Sequence, residues 1–302
     1  MARVVLLSLL KTVEALLKTP KFLLSEGSAS YYQYLGDDVL EGQHEGFRDP
    51  NKPLWLNLGY WKAARTYPEA CVAMALLVAD TAELRAGDRL LDVGFGFAEQ
   101  DFLWLERYGL KSIAGLNITP LHVERAQQRV RERGLEDRLD LRLGSATEMP
   151  FEADSFDKLT ALECAFHFDT RERFFAEAFR VLRPGGRMAV ADVLPSPGAG
   201  PLNLMNRFAL KRWSVPLENV YDRDDYARRL AASGFSKISV QSIKNDVFPG
   251  ATKYAALRKS GVPMDKAVIE LSPEEIDGCY GIENWEPTGL TDYVIFGAEK
   301  PR

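Results

Sequence analysis

Residues 89–100 read RLLDVGFGFAEQ, and the fold turns on them. A short apolar run (Leu90, Leu91, Val93) carries Asp92 and ends in a glycine-spaced turn, Gly94-Phe95-Gly96-Phe97-Ala98. An amphipathic segment, Glu99 to Tyr108, follows at once. Strand, tight turn and helix in that order make a ligand cradle: the glycines let backbone approach a ligand closely, and the helix N-terminus offers unpaired N–H groups. A nucleotide-like cofactor is the expected occupant. The glycine pair alone is a weak signal, because the third glycine of the dinucleotide fingerprint is missing from GFGFAEQD.

Working outward, strands and helices alternate. Pro68 to Thr81 has helical periodicity and precedes the first strand. Ser112 to Leu116, Leu139 to Leu143, Phe156 to Glu163 and Arg187 to Leu194 read as strands. The stretches Thr119 to Gly134 and Arg171 to Leu182 between them read as helices, the second ended by Pro184-Gly185-Gly186. This spacing indicates a parallel sheet with helices on both faces. Beyond Pro195 the pattern loosens. Asn203 to Trp213, Arg223 to Ser233, Thr252 to Ser260 and Asp265 to Leu271 read as helical, and Ile238 to Ile243 and Tyr293 to Ala298 as strands. No repeat or domain-sized linker interrupts the chain, so residues 1–302 are expected to form one domain: an N-terminal lid (1–67), a cofactor-binding core (68–195) and an acceptor-side part (196–302).

A formal net charge of −5 with no long basic run argues against a nucleic-acid partner. Cys71, Cys164 and Cys279 are widely separated and form no CxxC pair, which points to reduced thiols in a cytoplasmic protein and to no metal site. Ala2 to Leu17 is rich in Val and Leu at helical spacing but is interrupted by Lys11 and Glu14. It is too short and too charged to span a bilayer. An amphipathic helix packed on the domain or on a partner subunit is expected; peripheral membrane contact, or lining the entrance for an apolar substrate, is the other reading. A homo-oligomer stays open on the same ground.

Three further features turn the reading away from nicotinamide enzymes. Asn117, in AGLNITP, stands where a dehydrogenase wants an acid for the ribose. GSATEMPFEADSFDKLTALE precedes VLRPGGRMAVADV, and NLGYW stands upstream of the first strand. Together these resemble the class I S-adenosylmethionine-dependent methyltransferases from about Asn57 to Pro195, with DYVIFGAEK as the final strand. GYW, LDVGFGFAEQDFLWLE, ITPLHVERA, GSATEMPF and ALECAFHF are similar to the macrolide-sugar O-methyltransferases of the erythromycin type and, more loosely, to the tocopherol and sterol C-methyltransferases.

The resemblance implies a Rossmann-like α/β fold: a seven-stranded, mainly parallel sheet with helices on both faces, an N-terminal helical lid and a helical insertion near the C-terminus. It implies S-adenosyl-L-methionine as cofactor. Asp92, Gly94 and Gly96 would shape the turn around the methionine moiety, Asn117 would face the ribose and Ile118 the adenine. Ser145 and Ala146 would sit beside the adenine, Glu163 would close the site, and Tyr60 and Trp61 would cover the methionine end. Many relatives carry an acid where Asn117 stands and an Asp near Ser145 or Ala146. Bland readings stand beside these: strand–helix packing for the glycines, a turn former for Asn117, core aromatics for Tyr60 and Trp61.

Transfer to a hydroxyl benefits from a base, since an alcohol is a poor nucleophile until its proton is leaving. His167 falls just past the fourth strand, at the edge where open α/β sheets bind ligands, and related O-methyltransferases carry a histidine there. Asp192 could orient its imidazole, and a capping or core role is the plain alternative. His44, in GQHEGF, is a second base candidate; His122 reads as structural or solvent-facing. A small hydrophobic acceptor, a secondary metabolite, glycoside or polyketide-like molecule, is the expected substrate. The alternative is C-methylation of an isoprenoid or lipid through a carbocation. It would draw on Glu41, Glu45 and the rings of Tyr31, Tyr32, Tyr34, Phe47, Phe166, Phe168, Phe208 and Trp213. A silent protein that only binds the cofactor is the reading of a different class.

Overall fold

The computed structural model describes residues 53–262, 267–278 and 288–302. The N-terminal apolar stretch, His44, Glu41, Glu45, Tyr31, Tyr32, Tyr34, Phe47 and Cys279 lie outside them, as does the start of the helix read over Asp265–Leu271.

Helix α1 (Tyr67–Ala82) starts where Thr66 and Glu69 form a capping box with Pro68 in the first turn, and it stops where Glu83 turns left-handed at φ 53°. It buries Ala70, Cys71, Met74, Ala75, Val78 and Ala79. Strand β1 (Arg89–Val93), α2 (Glu99–Tyr108), β2 (Ser112–Asn117), α3 (Pro120–Glu132), β3 (Leu139–Leu143) and β4 (Phe156–Leu162) follow. A 3-10 turn (Ala165–His167) leads to α4 (Arg171–Val181) and β5 (Leu182–Leu194). Then come α5 (Leu204–Arg212), a second 3-10 turn (Leu217–Asn219), α6 (Arg223–Ala232), β6 (Ser236–Ser242), α7 (Lys244–Lys259), α8 (Pro273–Gly278) and β7 (Asp292–Glu299).

The seven strands form one sheet in the order β3-β2-β1-β4-β5-β7-β6. The first five are parallel, and β7 runs antiparallel between β5 and β6. The Rossmann-like architecture expected from the sequence is present. Parallel strands covered on both faces are largely apolar, and β5 is buried from Met188 to Leu194 with Asp192 its one charged member there. One apolar cluster packs α1, α2 and α3 on one face (Met74, Trp104, Val123), and another packs α4 and α6 on the other (Phe174, Phe175, Tyr226).

Three local readings are corrected. Pro184-Gly185-Gly186 does not simply end a helix: β5 begins at Leu182, pairs with Phe156, and resumes at Arg187 opposite Lys158, so the PGG residues bulge out of a continuing strand. Helix α7 starts at Lys244, eight residues before the expected Thr252, and runs through Pro249. Burial of Val247, Phe248 and Ala251 outweighs the hydrogen bond that the proline removes. The described part of 265–271 is not helical, and α8 begins later, at Pro273.

Candidate cofactor and acceptor site

The order of strands reverses between β1 and β4, and open α/β sheets bind ligands at the carboxyl ends of the strands beside such a point. The turn after β1 lies there. Gly94, Gly96 and Ala98 all have positive φ (78°, 56° and 64°). Glycine is required at Gly94: its amide donates to the Leu116 carbonyl at 2.7 Å, and a Cβ would lie 2.5 Å from Cys164 Sγ. Asp92 is fully buried beneath the turn. Its oxygens accept from Thr160 Oγ1 at 2.7 Å and Gln100 Nε2 at 3.0 Å. Burial pushes its carboxyl up to about 7, against the pull of those hydrogen bonds. Asp101 is buried beside it, and both burial and the nearby Asp92 charge raise its carboxyl well above the usual range. The Arg129 guanidinium reaches over from α3, donating to the Phe97 carbonyl at 3.0 Å and pairing with Glu99 at 2.5 Å. The turn is therefore fixed before any ligand arrives.

A strap, residues 53–61, crosses this edge of the sheet on two carboxylates. Leu54 N donates to Glu99 Oε1 at 2.6 Å, and Leu58 N sits on both Glu163 oxygens. Glu163 holds a left-handed backbone (φ 54°) at the end of β4, and its Oε1 also accepts from Tyr293 OH at 2.5 Å. Burial raises its carboxyl to about 7. Leu56 of the strap faces Gly96, where a Cβ would come within 3.0 Å of its Cδ1.

At the end of β2, Asn117 Oδ1 accepts from Thr119 N at 3.1 Å, and its Nδ2 points to the Gly96 carbonyl at 3.5 Å. Ile118 beside it is 38% exposed, an apolar surface at the rim. Ser145 Oγ closes a turn with Thr147, and Ala146 is buried with Met149 in the core. Tyr60 is half-buried, its hydroxyl 3.3 Å from Asp246 Oδ2. Trp61 departs from the expected cover. Its indole packs with Ala70 and Ile269 and against Gly250 of α7, and Nε1 donates back to the Leu58 carbonyl, so it anchors the strap.

His167 ends the 3-10 turn after β4 and is 8% exposed. Its Nδ1 lies 3.1 Å from the Ser214 carbonyl oxygen. A carbonyl only accepts, so this contact favours a proton on Nδ1, and the backbone of Trp213 bonds the ring as well. Burial, helped by the Arg171 charge, depresses the imidazole to about 4. The expectation that Asp192 orients this ring is corrected. Asp192 is fully buried and ion-paired with Arg171, whose Nε reaches Oδ2 at 2.9 Å; Tyr226 OH donates to the same oxygen at 3.1 Å. Its Oδ1 accepts from Val193 N at 2.9 Å. His122 is buried against Phe97, and burial depresses it too, to about 4.

These residues fit S-adenosylmethionine. The turn sets left-handed backbone at the switch point, its glycines packed on Cys164 and Leu56, α2 presents backbone donors for a carboxylate, Asn117 offers an amide for a ribose, and Ile118 offers an apolar face for a purine. A sheet in this order, with a glycine turn at its switch point, defines a Rossmann-like α/β protein built to hold a nucleotide-like cofactor. The chain belongs to the class I S-adenosylmethionine-dependent methyltransferases. The Methyltransferase domain family matches residues 91–190. The chain is 36% identical over 256 residues to erythromycin 3''-O-methyltransferase of Saccharopolyspora erythraea, covering 82% of this chain and 84% of that one. It is 31% identical over 265 residues to 27-O-demethylrifamycin SV methyltransferase of Amycolatopsis mediterranei, covering 85% and 95%. Among solved structures it shares its fold with geranyl diphosphate C-methyltransferase of Streptomyces coelicolor A3(2) (TM-score 0.63, 18% identity, 86% and 98% covered). S-adenosylmethionine is the cofactor.

Arg171, Ser214 and Asn219 were not legible as site residues in the sequence; each becomes visible only through its contacts around His167.

Proposed function

We propose that this methyltransferase acts on a hydroxyl of a small hydrophobic acceptor, a polyketide-like or glycosidic secondary metabolite, with His167 as the base. The placement of His167 carries the reading: it lies just past β4, at the strand ends where open α/β sheets bind ligands, and burial keeps its imidazole neutral at physiological pH, the form that can accept a proton. S-adenosylmethionine, when bound, supplies a methyl group already activated on a sulfonium, so the chain's tasks are alignment, exclusion of water and removal of the acceptor's proton. The glycine turn and Asn117 hold the donor, with the strap lying across that edge; His167 takes the hydroxyl proton. An apolar acceptor suits α5, where Leu204 is 85% exposed and Met205 and Phe208 are also exposed. The two named relatives, one an O-methyltransferase by name and the other named for an O-demethyl compound, support oxygen as the target.

C-methylation is the second reading. Its observation is Phe166, whose ring centroid lies 4.0 Å from that of His167, a π-face beside the reactive group. Glu163, the carboxylate at the end of β4, is already committed to Leu58 and Tyr293. The test is incubation with methyl-labelled S-adenosylmethionine and a host small-molecule extract, followed by treatment of the labelled product with hot hydriodic acid. A methyl ether releases labelled methyl iodide; a label that stays on carbon refutes O-methylation. Donor binding with no labelled product from any extract favours a silent binding protein.

A further inference from the structure

We infer that Asn219 is a positioning residue for His167: its side chain fixes the peptides on either side of the histidine and, through Arg171, ties them to the end of β5. The inference rests on the reading of His167 as the base.

Asn219 is 1% exposed and lies 52 residues beyond His167 in the chain. Its Nδ2 donates to the Phe166 carbonyl at 3.1 Å and to the Phe168 carbonyl at 2.7 Å, the residues immediately before and after His167. Its Oδ1 accepts from Arg171 N at 3.0 Å, at the start of α4. The Arg171 guanidinium returns to the Asn219 carbonyl and to the Val193 carbonyl, and it pairs with Asp192. One carboxamide therefore uses both donors and its acceptor on the three backbone groups that define the His167 turn. Such full use of a buried amide is what holds a side chain within the narrow tolerance a proton transfer needs.

The other half of the clamp comes from the same loop. Ser214, just past α5, holds a left-handed backbone at φ 50°, uncommon for a residue with a Cβ, and its carbonyl is the one that meets His167 Nδ1. The segment from Ser214 to Asn219 thus contributes both contacts: the carbonyl favours the Nδ1–H tautomer, and Asn219 sets where the ring is carried. Because α5 ends at Arg212, a shift of that apolar helix would reach the histidine through this short loop.

The test is an Asn219→Asp variant of the full-length protein saturated with S-adenosylhomocysteine, read by long-range 15N–1H correlation of the His167 ring. Asp keeps the acceptor for Arg171 N but sets an oxygen against two carbonyls. The wild type should show chiefly the Nδ1–H tautomer. The variant should show a tautomer mixture and a raised ionisation midpoint, with kcat on the acceptor found by labelling down between about 10-fold and about 100-fold and KM for the donor within about twofold. Should the Asp variant fail to fold, Asn219→Ala serves in the same measurement. Ser214→Gly, which keeps the carbonyl and suits the left-handed backbone, should leave the ring signals as in the wild type. Unchanged tautomer and midpoint in a folded Asn219 variant overturn the inference and leave the base reading standing. A changed ring with unchanged kcat supports the positioning and removes His167 as base.

Discussion

The backbone amide of Leu58 sits astride the carboxylate of Glu163, 2.8 and 3.0 Å from its two oxygens. This bond joins a strap before the first helix to the end of β4 and lays residues 57–61, NLGYW, across the strand ends. Removing the carboxylate strands Leu58 N and Tyr293 OH, and each unsatisfied buried donor costs about 1–3 kcal/mol. Glu163→Ala should therefore weaken S-adenosylmethionine binding by about tenfold or more in calorimetry. Glu163→Gln keeps the acceptor and resembles the neutral carboxyl that burial favours, so it should stay within about threefold. Wild-type affinity in the alanine variant would show that the strap is no part of the cofactor site.

Gly94 and Gly134 separate two reasons for a glycine. Both have positive φ, 78° and 63°, but a Cβ at Gly134 meets nothing within 4 Å, whereas at Gly94 it meets Cys164 Sγ at 2.5 Å. Gly134→Ala should cost only the left-handed strain, about 1–2 kcal/mol. Gly94→Ala should lose more in urea unfolding and should also lose donor binding, because the turn must shift. Equal losses at both positions would mean that close approach plays no part at Gly94.

His167 gives the activity a pH dependence with a definite sign. Its conjugate acid is depressed from the ordinary 6.5 to about 4 by burial and the Arg171 charge, so the ring stays neutral above that value. A protonated ring cannot accept. The limiting rate with saturating substrates should be level from about pH 8 to about pH 5 and fall as pH drops toward 4, and His167→Ala should lower it about 10²–10⁴-fold. The same depression ties folding to pH. The unfolded chain binds this proton below about 6.5 and the native state only near 4, so the contribution to stability is present above 6.5 and lost as pH falls through that window. A rate limb centred at the ordinary 6.5 would contradict the buried neutral ring.

Legibility in the sequence followed the range of the interactions. The stretch 89–100 is readable because its glycines, apolar run and helix start are adjacent, and α1 because its apolar residues recur at helical spacing within one local window, Pro68 to Thr81. Helix α7 was shortened because Pro249 reads locally as a break, while its support comes from core burial that no window along the chain contains. The site divided in the same way. Asn117, Ile118 and Glu163 stand at strand ends that the alternation marks. The partners of His167 do not: Ser214 is 47 residues away and reaches it through a carbonyl, a group every residue has. Asp192 was misassigned for a related reason. Its position at the end of β5 is visible in sequence, but Arg171, 21 residues earlier, is what it faces.

That pair separates the two roles for Asp192. Arg171 and Asp192 are both fully buried, and Tyr226 OH and Val193 N complete the carboxylate's contacts. Breaking a buried ion pair from one side leaves the other charge uncompensated and typically costs about 3–5 kcal/mol. Asp192→Asn and Arg171→Leu should each lower the unfolding free energy from urea titration by that order, and the double variant, with both charges gone, should recover part of the loss. The cycle's coupling term isolates the pair from the effect on Tyr226. Had Asp192 served only to orient His167, Asp192→Asn would lower turnover and shift the pH–rate limb while unfolding at nearly the wild-type midpoint. Seeing that pattern would return Asp192 to the histidine and leave Arg171 without its partner.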